Sequence, residues 1–300
     1  MLVSVVVVTY NSSEIIIEAL DSVKNQTYQN IELIISDDCS QDNTVSLCKE
    51  WVEKNSVRFK NCELLLHERN TGNTANYNRG WKRAKGEWIK NLDGDDRLLP
   101  NCISDCVDYI VTHPNIDMLF AKMYSFNAEG LYKYEPMRNL GGELYDKLSR
   151  NEFEIATYLY NTIPSPTVFM RRATFLNLGG YDETFFFIED WPMWMKMVKE
   201  RCDIHFLDRM TVDYRLSNYS ISQDNSNRAQ EYKKCFISVQ KKSQEYLRNS
   251  NLLSRFYYFS KGLKTKGSTL GKLIFALNMM NPYYYRQKNA WKMYYSISKE

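Results

Sequence analysis

Residues 3–8 read VSVVVV, and this run constrains the fold more than any other feature of the chain. Valine is β-branched and favours extended backbone. Apolar residues at consecutive positions, rather than at alternate ones, indicate a strand buried on both faces in a parallel sheet. The polar residues 9–12 then end the strand, and the apolar spacing over residues 14–25 predicts a helix.

The same alternation of strand and helix continues through the first hundred residues. Further strands are predicted at 31–36, 62–66 and 87–92, and helices at 42–54 and 74–84. This order builds a mostly parallel, Rossmann-like α/β sheet flanked by helices. Ligands bind such sheets outside the carboxyl ends of the strands. The polar residues at those ends are Thr9, Tyr10, Asp37, Asp38, Asp93, Asp95 and Asp96.

The turn after the first strand excludes several classes of nucleotide-binding protein. A dinucleotide-binding sheet needs GxGxxG at this place, and a P-loop needs GxxxxGK followed by Ser or Thr. The chain has TYNSS at residues 9–13. Nucleotidyltransferases on a similar sheet are disfavoured as well, because they need a Gly-rich loop with Arg and Lys here.

Three carboxylates lie within four residues after the fourth predicted strand, namely Asp93, Asp95 and Asp96. Like charges this close repel one another unless a cation lies among them. Mn²⁺ or Mg²⁺ suits such a site, because these ions prefer oxygen ligands and are often held by one or two carboxylates plus substrate phosphates. The alternative is a helix N-cap, for which one Asp would be enough. Asp37 also has two interpretations: it binds a base or ribose, or it caps its own turn.

Four ordered segments of the chain resemble family 2 glycosyltransferases of the GT-A fold. They are VSVVVVTYN, ISDDCSQDNT, NTGNTANYNRGWKRAKGEWIKNLDGDDRLLP and GGYDETFFFIEDWPMW, all within residues 1–220. The resemblance implies a nucleotide-diphosphate sugar donor, most often UDP-linked, and a divalent cation, Mn²⁺ or Mg²⁺. It also implies a saccharide acceptor of the kind used in bacterial O-antigen or capsule synthesis.

The resemblance further implies roles for individual residues. The residues that match the nucleobase contacts are Thr9, Tyr10, Asn11 and Asp37. Those that match the ribose and metal contacts are Asp93, Asp95 and Asp96, with Asp95 and Asp96 as the metal ligands. Glu189 and Asp190 match the acidic pair that supplies the catalytic base, and Asp190 has the position of the base itself.

Two segments depart from the family pattern. Many members have Arg-Asn before the fourth strand, where this chain has Tyr77-Asn78. Asn78 matches the Asn of the family and is predicted to contact the nucleotide sugar. Another residue would have to make the diphosphate contact of the missing Arg. Many members also have YRxH late in the domain, where residues 214–217 read YRLS. Arg215 is kept as a contact to the diphosphate, whereas the His that assists at the metal is missing.

Sugar transfer makes chemical demands of its own. A cation at Asp96 stabilises the leaving diphosphate as a Lewis acid, and a carboxylate takes the proton of the acceptor hydroxyl. That base has to lie on the opposite face of the sugar from the leaving group, and therefore on a different chain segment from the metal site. Asp190, with Pro192 in the first turn of a helix, meets this demand, and its alternative role is the N-cap of that helix. A single displacement inverts the anomeric configuration.

Two residues are candidate contacts to the acceptor. Ser165 lies in a PSPT segment that resembles the acceptor loop of the family. Trp191 offers an aromatic face on which a sugar ring can stack. Trp194 is also aromatic, but core packing is its expected role.

The C-terminal residues have a composition unlike that of the rest of the chain. We predict a catalytic domain at residues 1–227 and a helical tail at 228–300. Residues 246–299 contain ten Lys or Arg, twelve aromatic residues and no acidic residue. Basic and aromatic side chains together favour an anionic membrane surface, and the interspersed apolar residues argue against nucleic acid. A helical cap on the domain or a homodimer surface is the alternative.

The expected location is the cytoplasm, with peripheral attachment at the inner face of the cell membrane. No apolar run approaches the ~20 residues that span a bilayer, and no secretory signal precedes the first strand. Seven cysteines without a CxxC motif disfavour disulfides and zinc sites. We expect an enzyme that extends a lipid-linked saccharide, and the alternative is a non-catalytic scaffold that binds nucleotide sugars.

Overall fold

The computed structural model describes residues 1–127, 129–130, 132–133, 140–216 and 227–249. Nine strands and nine α-helices lie within these ranges. The strands are β1 (Val3–Thr9), β2 (Ile31–Asp37), β3 (Asn61–Leu66), β4 (Trp88–Asp93), β5 (Arg97–Leu98), β6 (Met118–Phe126), β7 (Tyr132–Lys133), β8 (Phe169–Arg171) and β9 (Ile204–Arg215). The helices are α1 (Ile16–Lys24), α2 (Thr44–Asn55), α3 (Asn73–Arg83), α4 (Cys102–Thr112), α5 (Leu140–Lys147), α6 (Arg150–Leu159), α7 (Arg172–Asn177), α8 (Asp190–Lys199) and α9 (Asn227–Asn249).

The described strands form a sheet in the order β3-β2-β1-β4-β8-β6-β9-β5, with β7 paired to β6. The strands β3, β2, β1 and β4 run parallel, and so do β6 and β9. Strand β8 is antiparallel to both β4 and β6, and β5 is antiparallel to β9. This arrangement confirms the predicted mostly parallel α/β sheet flanked by helices.

The valines of β1 are buried on both faces of the sheet, which explains why they are consecutive. Val3, Val5 and Val7 belong to an apolar cluster that includes α1 and α4. Val6 and Val8 belong to a second cluster, formed with α3, α6 and α8. The two clusters are the two cores of the domain, and burial of all five valines favours the fold through the hydrophobic effect.

The register of the first strands brings the polar strand ends together. Thr9 lies beside Asp37 of β2, and Val8 lies beside Asp93 of β4. A Cβ atom at Gly94 would lie 3.1 Å from both the carbonyl oxygen of Val8 and Oγ1 of Thr9. The chain therefore turns closely over the end of β1, and glycine at this position permits the approach.

Helix α9, the first part of the predicted tail, packs on the domain. Val239 and Leu247 are buried in the second apolar cluster, and Nζ of Lys242 forms an ion pair with Asp182 at 2.5 Å. No helix in the described ranges is both long and apolar enough to cross a membrane. Residues 250–300 lie outside the described residues, so the membrane and dimer roles of the tail stay predictions.

Candidate active site

Residues 93–96, the aspartate turn, lead from the end of β4 to β5, and Asp96 is the most deeply buried of its three carboxylates. The residue is 1% exposed, and its Oδ1 accepts a hydrogen bond from the backbone N–H of Arg215 at 2.8 Å. The other oxygen, Oδ2, is buried and has no hydrogen-bond partner among the described residues. Because a buried carboxylate oxygen without a partner is costly, this atom is suited to binding a cation.

The electrostatics of this turn also favour a cation. Burial, followed by the charge of Asp95, raises the pKa of Asp93 to about 7. Burial raises the pKa of Asp95, and burial together with the charges of Asp95 and Asp93 raises the pKa of Asp96 well above its usual value. A divalent ion would favour the charged form of all three groups.

The oxygen donors of the turn fit Mn²⁺ or Mg²⁺. In the part of the chain that the structure describes, no three His, Cys, Asp or Glu side chains converge as a complete set of metal ligands. Mg²⁺ is usually held by one or two carboxylates together with waters and substrate phosphates. The turn therefore suits a cation that shares its ligands with a phosphate, and the assignment of Asp95 and Asp96 as its protein ligands stays a prediction.

Arg215, at the end of β9, lies against the same turn. Besides the contact of its backbone with Asp96, its Nε donates a hydrogen bond to the carbonyl oxygen of Asp95 at 2.8 Å. Its Nη2 donates to the carboxylate of Glu18 at 2.6 Å. The structure thus brings the predicted diphosphate contact next to two of the predicted aspartates.

Lys90 is a second cation near the turn, and it was not among the predicted site residues. It lies on β4, is fully buried, and its Nζ donates to the carbonyl oxygens of Asn91, Pro166 and Val168. Burial lowers the pKa of Lys90, while the charge of Asp96 acts in the opposite direction. The available signal was a lysine inside a predicted buried strand, where a charge is rarely found without partners.

The predicted acceptor residue Ser165 begins the short 3₁₀ helix Ser165–Thr167. The side-chain amide of Asn91 donates to the carbonyl oxygen of Ser165 at 3.0 Å, next to the contacts of Lys90 with the same segment. Two neighbouring residues of β4 therefore hold this loop on the sheet. The contact of Ser165 with an acceptor stays a prediction.

The predicted nucleobase residues lie at the ends of β1 and β2. Thr9 is 4% exposed, and its Oγ1 has no partner among the described residues. Tyr10 is partly exposed, and Asn11 has a φ of 51° and donates its N–H to Oγ of Ser40 at 2.8 Å. The carboxylate of Asp37 accepts hydrogen bonds from the N–H and the hydroxyl of Ser40. Asp37 caps its own turn in this state, and the nucleobase contacts stay predictions.

Asp38, a polar strand-end residue with no specific predicted role, is the centre of a hydrogen-bond network. Its carboxylate accepts hydrogen bonds from the N–H groups of Thr71 at 2.9 Å and Gly72 at 2.7 Å. It also accepts one from Nη2 of Arg79 at 2.6 Å. These contacts fix the start of α3 against the end of β2.

Asn78 of α3 is 2% exposed and bonds the loop that leads towards α8. Its Nδ2 donates to the carbonyl oxygen of Tyr181 at 2.9 Å and to the carboxylate of Glu183 at 2.7 Å. Its Oδ1 accepts the N–H of Tyr181 at 2.9 Å. The structure therefore shows a positioning role for Asn78, and its predicted contact with the nucleotide sugar stays a prediction.

We expect Asn78→Ala to lower the free energy of unfolding by about 2–3 kcal/mol, because it leaves buried groups of Tyr181 without partners. Urea denaturation followed by circular dichroism measures this change. Asn177→Ala is the matched control, since Asn177 is exposed at the end of α7, and a change within about 0.5 kcal/mol is expected there. Equal effects of the two variants would contradict the positioning role.

The predicted base residues Glu189 and Asp190 lie at the start of α8. The helix begins at Asp190 with Glu189 in the N-cap position, so the predicted cap was wrong by one residue. Asp190 accepts hydrogen bonds from the side chain of Asn161 and from the N–H of Trp191, both at 2.7 Å. Glu189 is 7% exposed and accepts a hydrogen bond from Asn73 at 3.0 Å. Each carboxylate is therefore oriented by an asparagine from another element.

Burial raises the pKa of both carboxyl groups at the start of α8. For Glu189, the charges of Asp190 and Asp93 raise the pKa further, and for Asp190 the cause is burial. After burial and Asp95, the charge of Asp190 also contributes to the raised pKa of Asp93. The structure thus brings the predicted base within electrostatic reach of the aspartate turn, and a raised pKa suits a general base.

Trp191 lies in the core, which corrects its prediction as an acceptor contact. It is 2% exposed, its Nε1 donates to the carbonyl oxygen of Thr157 at 2.8 Å, and its ring centroid lies 5.6 Å from that of Phe236 in α9. Among the described residues no open face of the ring remains for a sugar, because α8 packs against both α6 and α9. Trp194 is fully buried, and its predicted core role is confirmed.

Comparison with known proteins gives the family of the chain. The model of the family "Glycosyl transferase family 2" matches residues 4–178, more than half of the chain. An uncharacterised glycosyltransferase of Rickettsia typhi is 25% identical over 244 residues, which cover 80% of this chain and 72% of that protein. Glycosyltransferase GlyG of Streptococcus pneumoniae is 35% identical over 128 residues, which cover 42% of this chain and 40% of GlyG.

Solved structures show the same architecture. The structure of S. aureus TarS 1–349 in complex with UDP-GlcNAc has a TM-score of 0.58 at 19% identity, and the match covers 100% of this chain and 91% of that one. Against the longer TarS structure the match covers 55% of that chain. GalNAc-T7 with UDP, GalNAc and Mn²⁺ has a TM-score of 0.58 at 17% identity, covering 85% of this chain and 51% of that one. These likenesses confirm the GT-A fold, and by the family match the chain belongs to glycosyl transferase family 2.

Proposed function

We propose that this glycosyltransferase moves a sugar from a UDP-linked donor to a hydroxyl of a saccharide acceptor, with inversion and with the help of Mn²⁺ or Mg²⁺. The observation that carries the proposal is the buried Oδ2 of Asp96, which lies beside Arg215 and has no hydrogen-bond partner in the described part of the chain. TarS with UDP-GlcNAc and GalNAc-T7 with UDP and Mn²⁺ support a UDP-linked donor and a divalent cation.

The aspartate turn and Arg215 are the groups that serve the leaving diphosphate. Asp95 and Asp96 would hold the cation, which when bound supplies positive charge to the leaving phosphate oxygens. Arg215 adds a guanidinium, whose planar N–H donors match phosphate oxygens. Asp93, which accepts a hydrogen bond from the hydroxyl of Tyr77 at 2.8 Å, would receive the ribose.

Asp190 would act as the general base for the acceptor. As the acceptor oxygen attacks the anomeric carbon, its proton passes to a carboxylate oxygen of Asp190. The new bond between that carbon and the acceptor oxygen forms while the bond to the donor phosphate breaks, and the electron pair leaves with UDP. Asn161 keeps the carboxylate of Asp190 in one orientation through its 2.7 Å hydrogen bond. Glu189, held by Asn73, would assist as the neighbouring acid.

The proposal also covers the acceptor and the cellular process that uses it. We infer that a hexosyl or N-acetylhexosaminyl group is added to a lipid-linked oligosaccharide during synthesis of a cell-surface polysaccharide such as O-antigen or capsule. The basic and aromatic residues 246–299 support peripheral binding at the inner face of the membrane, where such an acceptor would be met. A homodimer surface is the other use of this tail.

Calorimetric titration with nucleoside diphosphates, with and without Mn²⁺, tests the donor and the cation together. We expect UDP to bind at least about tenfold more tightly with Mn²⁺ than without it, because a divalent ion held by Asp95 and Asp96 would offset the negative charge of the diphosphate. GDP and CDP serve as controls for the base. Absence of any metal-dependent binding would contradict the proposal. Release of free UDP from a UDP-sugar then separates an enzyme from a scaffold that only binds.

A further inference from the structure

Two arginines meet beside the aspartate turn, and only one of them was expected there. Arg97 follows Asp96 directly in β5, and Arg215 ends the neighbouring strand β9. Their guanidinium carbons lie 3.9 Å and 4.4 Å from the ring centroid of Phe126. Both arginines also form ion pairs with the same oxygen of Glu18, Arg97 at 3.3 Å and Arg215 at 2.6 Å.

Tyr132 and Asp213 fix the Nη2 side of the Arg97 guanidinium. Its Nη2 donates to the hydroxyl of Tyr132 at 2.8 Å and lies 3.7 Å from the carboxylate of Asp213. The hydroxyl of Tyr132 in turn donates to Asp213 at 3.0 Å. The guanidinium is therefore oriented, while its Nη1 points to Glu18.

Glu18 has the most exposed side chain of the three ion-paired residues. Its side chain is 46% exposed, whereas the side chains of Arg97 and Arg215 are only 28% and 13% exposed. An exposed carboxylate gains little from an ion pair, because water and salt screen the charge. Two guanidiniums on one aromatic ring repel each other and need an anion. A ligand with more negative charge and more oxygen atoms than one carboxylate would displace Glu18 from both arginines.

We propose that Arg97 and Arg215 together form an anion site for the diphosphate of the donor, and that Glu18 occupies this site until the donor binds. The inference rests on the proposed function for the identity of the anion. It assigns a role to Arg97 and to Glu18, neither of which the family resemblance marked. The carboxylate of Glu18 is thus an internal substitute for a phosphate oxygen.

The position of the pair favours a diphosphate over other anions. Arg215 contacts Asp95 and Asp96 through its Nε and its backbone N–H, so an anion at its guanidinium lies next to the predicted cation site. The surrounding carboxylates would repel an anion that came alone. A diphosphate that binds together with a divalent cation would suit this place, because the aspartates would hold the cation and the two arginines would donate hydrogen bonds to phosphate oxygens.

The test compares UDP and uridine by calorimetric titration in the presence of Mn²⁺. We expect Arg97→Gln to weaken UDP binding about tenfold, the loss typical of one charge-assisted contact. Glu18→Gln is expected to tighten UDP binding about three- to tenfold, because the competing charge is removed. Uridine has no phosphate, so its affinity should not change in either variant. Arg83→Gln is the control, since Arg83 pairs with Glu63 in an exposed ion pair.

The outcomes separate this inference from the proposed function. If wild-type protein binds no UDP with Mn²⁺, the proposed function fails and takes the inference with it. If wild-type protein binds UDP but Arg97→Gln and Glu18→Gln bind it equally well, only the two-arginine site is overturned. If Arg97→Gln does not fold, Arg97→Lys takes its place in the test. Lysine keeps the positive charge, so UDP binding should weaken by less than the loss expected for Arg97→Gln.

Discussion

Asp190→Asn is expected to lower kcat for sugar transfer about a thousandfold, because asparagine cannot take the proton of the acceptor hydroxyl. The Kd of UDP with Mn²⁺ should stay within about threefold of the wild-type value, since Asp190 acts on the acceptor and not on the donor. The measurement is UDP release from the preferred UDP-sugar, with acceptor present, beside a titration with UDP. Asparagine has nearly the same shape and can still accept the hydrogen bond from the N–H of Trp191.

The pH profile gives a second readout for Asp190. Burial raises the pKa of this carboxyl group, and a base works only when it is deprotonated. The rate should therefore rise with pH up to this raised pKa and then level off, and Asp190→Asn should lack that rise. Asp208→Asn is the control, because Asp208 is 72% exposed in its ion pair with Lys122. Full activity in Asp190→Asn would remove Asp190 from the mechanism.

Asp96→Asn is expected to weaken Mn²⁺-dependent UDP binding by about a hundredfold or more, since it removes the charge that would bind the cation. The same variant should keep or raise the melting temperature of the metal-free protein. Its carbonyl oxygen can still accept the N–H of Arg215, and the variant no longer buries a carboxylate whose Oδ2 has no partner among the described residues. Calorimetry and differential scanning fluorimetry measure the two effects.

Asp42→Asn is the contrasting control for stability. Burial acts against its charge, but hydrogen bonds from Thr44 and Ser13 lower the pKa of Asp42 to about 2, so its charged form is stabilised by folding. Loss of this charge should lower the melting temperature. If Asp96→Asn lowers it as well and still binds UDP with Mn²⁺, Asp96 has a structural role and is not a metal ligand.

The sheet and its polar edge could be predicted because they depend on local patterns. Consecutive valines indicate a strand buried on both faces, and parallel strands place their carboxyl ends on one side. Thr9, Asp37 and Asp93 therefore had to lie near one another. The position of Asp190 was predicted in another way, since no local pattern links α8 to the aspartate turn, and the family resemblance supplied the link.

The rest of the site depends on pairs of residues that are distant in the sequence. Asn78 bonds Tyr181, and Lys90 bonds the carbonyl oxygens near Ser165. A lysine inside a predicted buried strand indicates that Lys90 needs partners, but no local pattern identifies those partners, and the same holds for Asn78. Trp191 is different: residues 190–199 read DWPMWMKMVK, which is apolar on nearly all sides, and this pattern is typical of a helix enclosed by others.

The strand order has a consequence for how the protein is made. Strand β5, beside the aspartate turn, pairs with β9, which the ribosome completes only at residue 215. Translation proceeds at about 5–20 residues per second, so β5 and the turn wait on the order of ten seconds for their partner. Strand β4 likewise has an open edge until β8 emerges. The nascent chain therefore exposes open edges at the strands that carry the site, and the charges of the aspartates at the end of β4 disfavour pairing with another strand there.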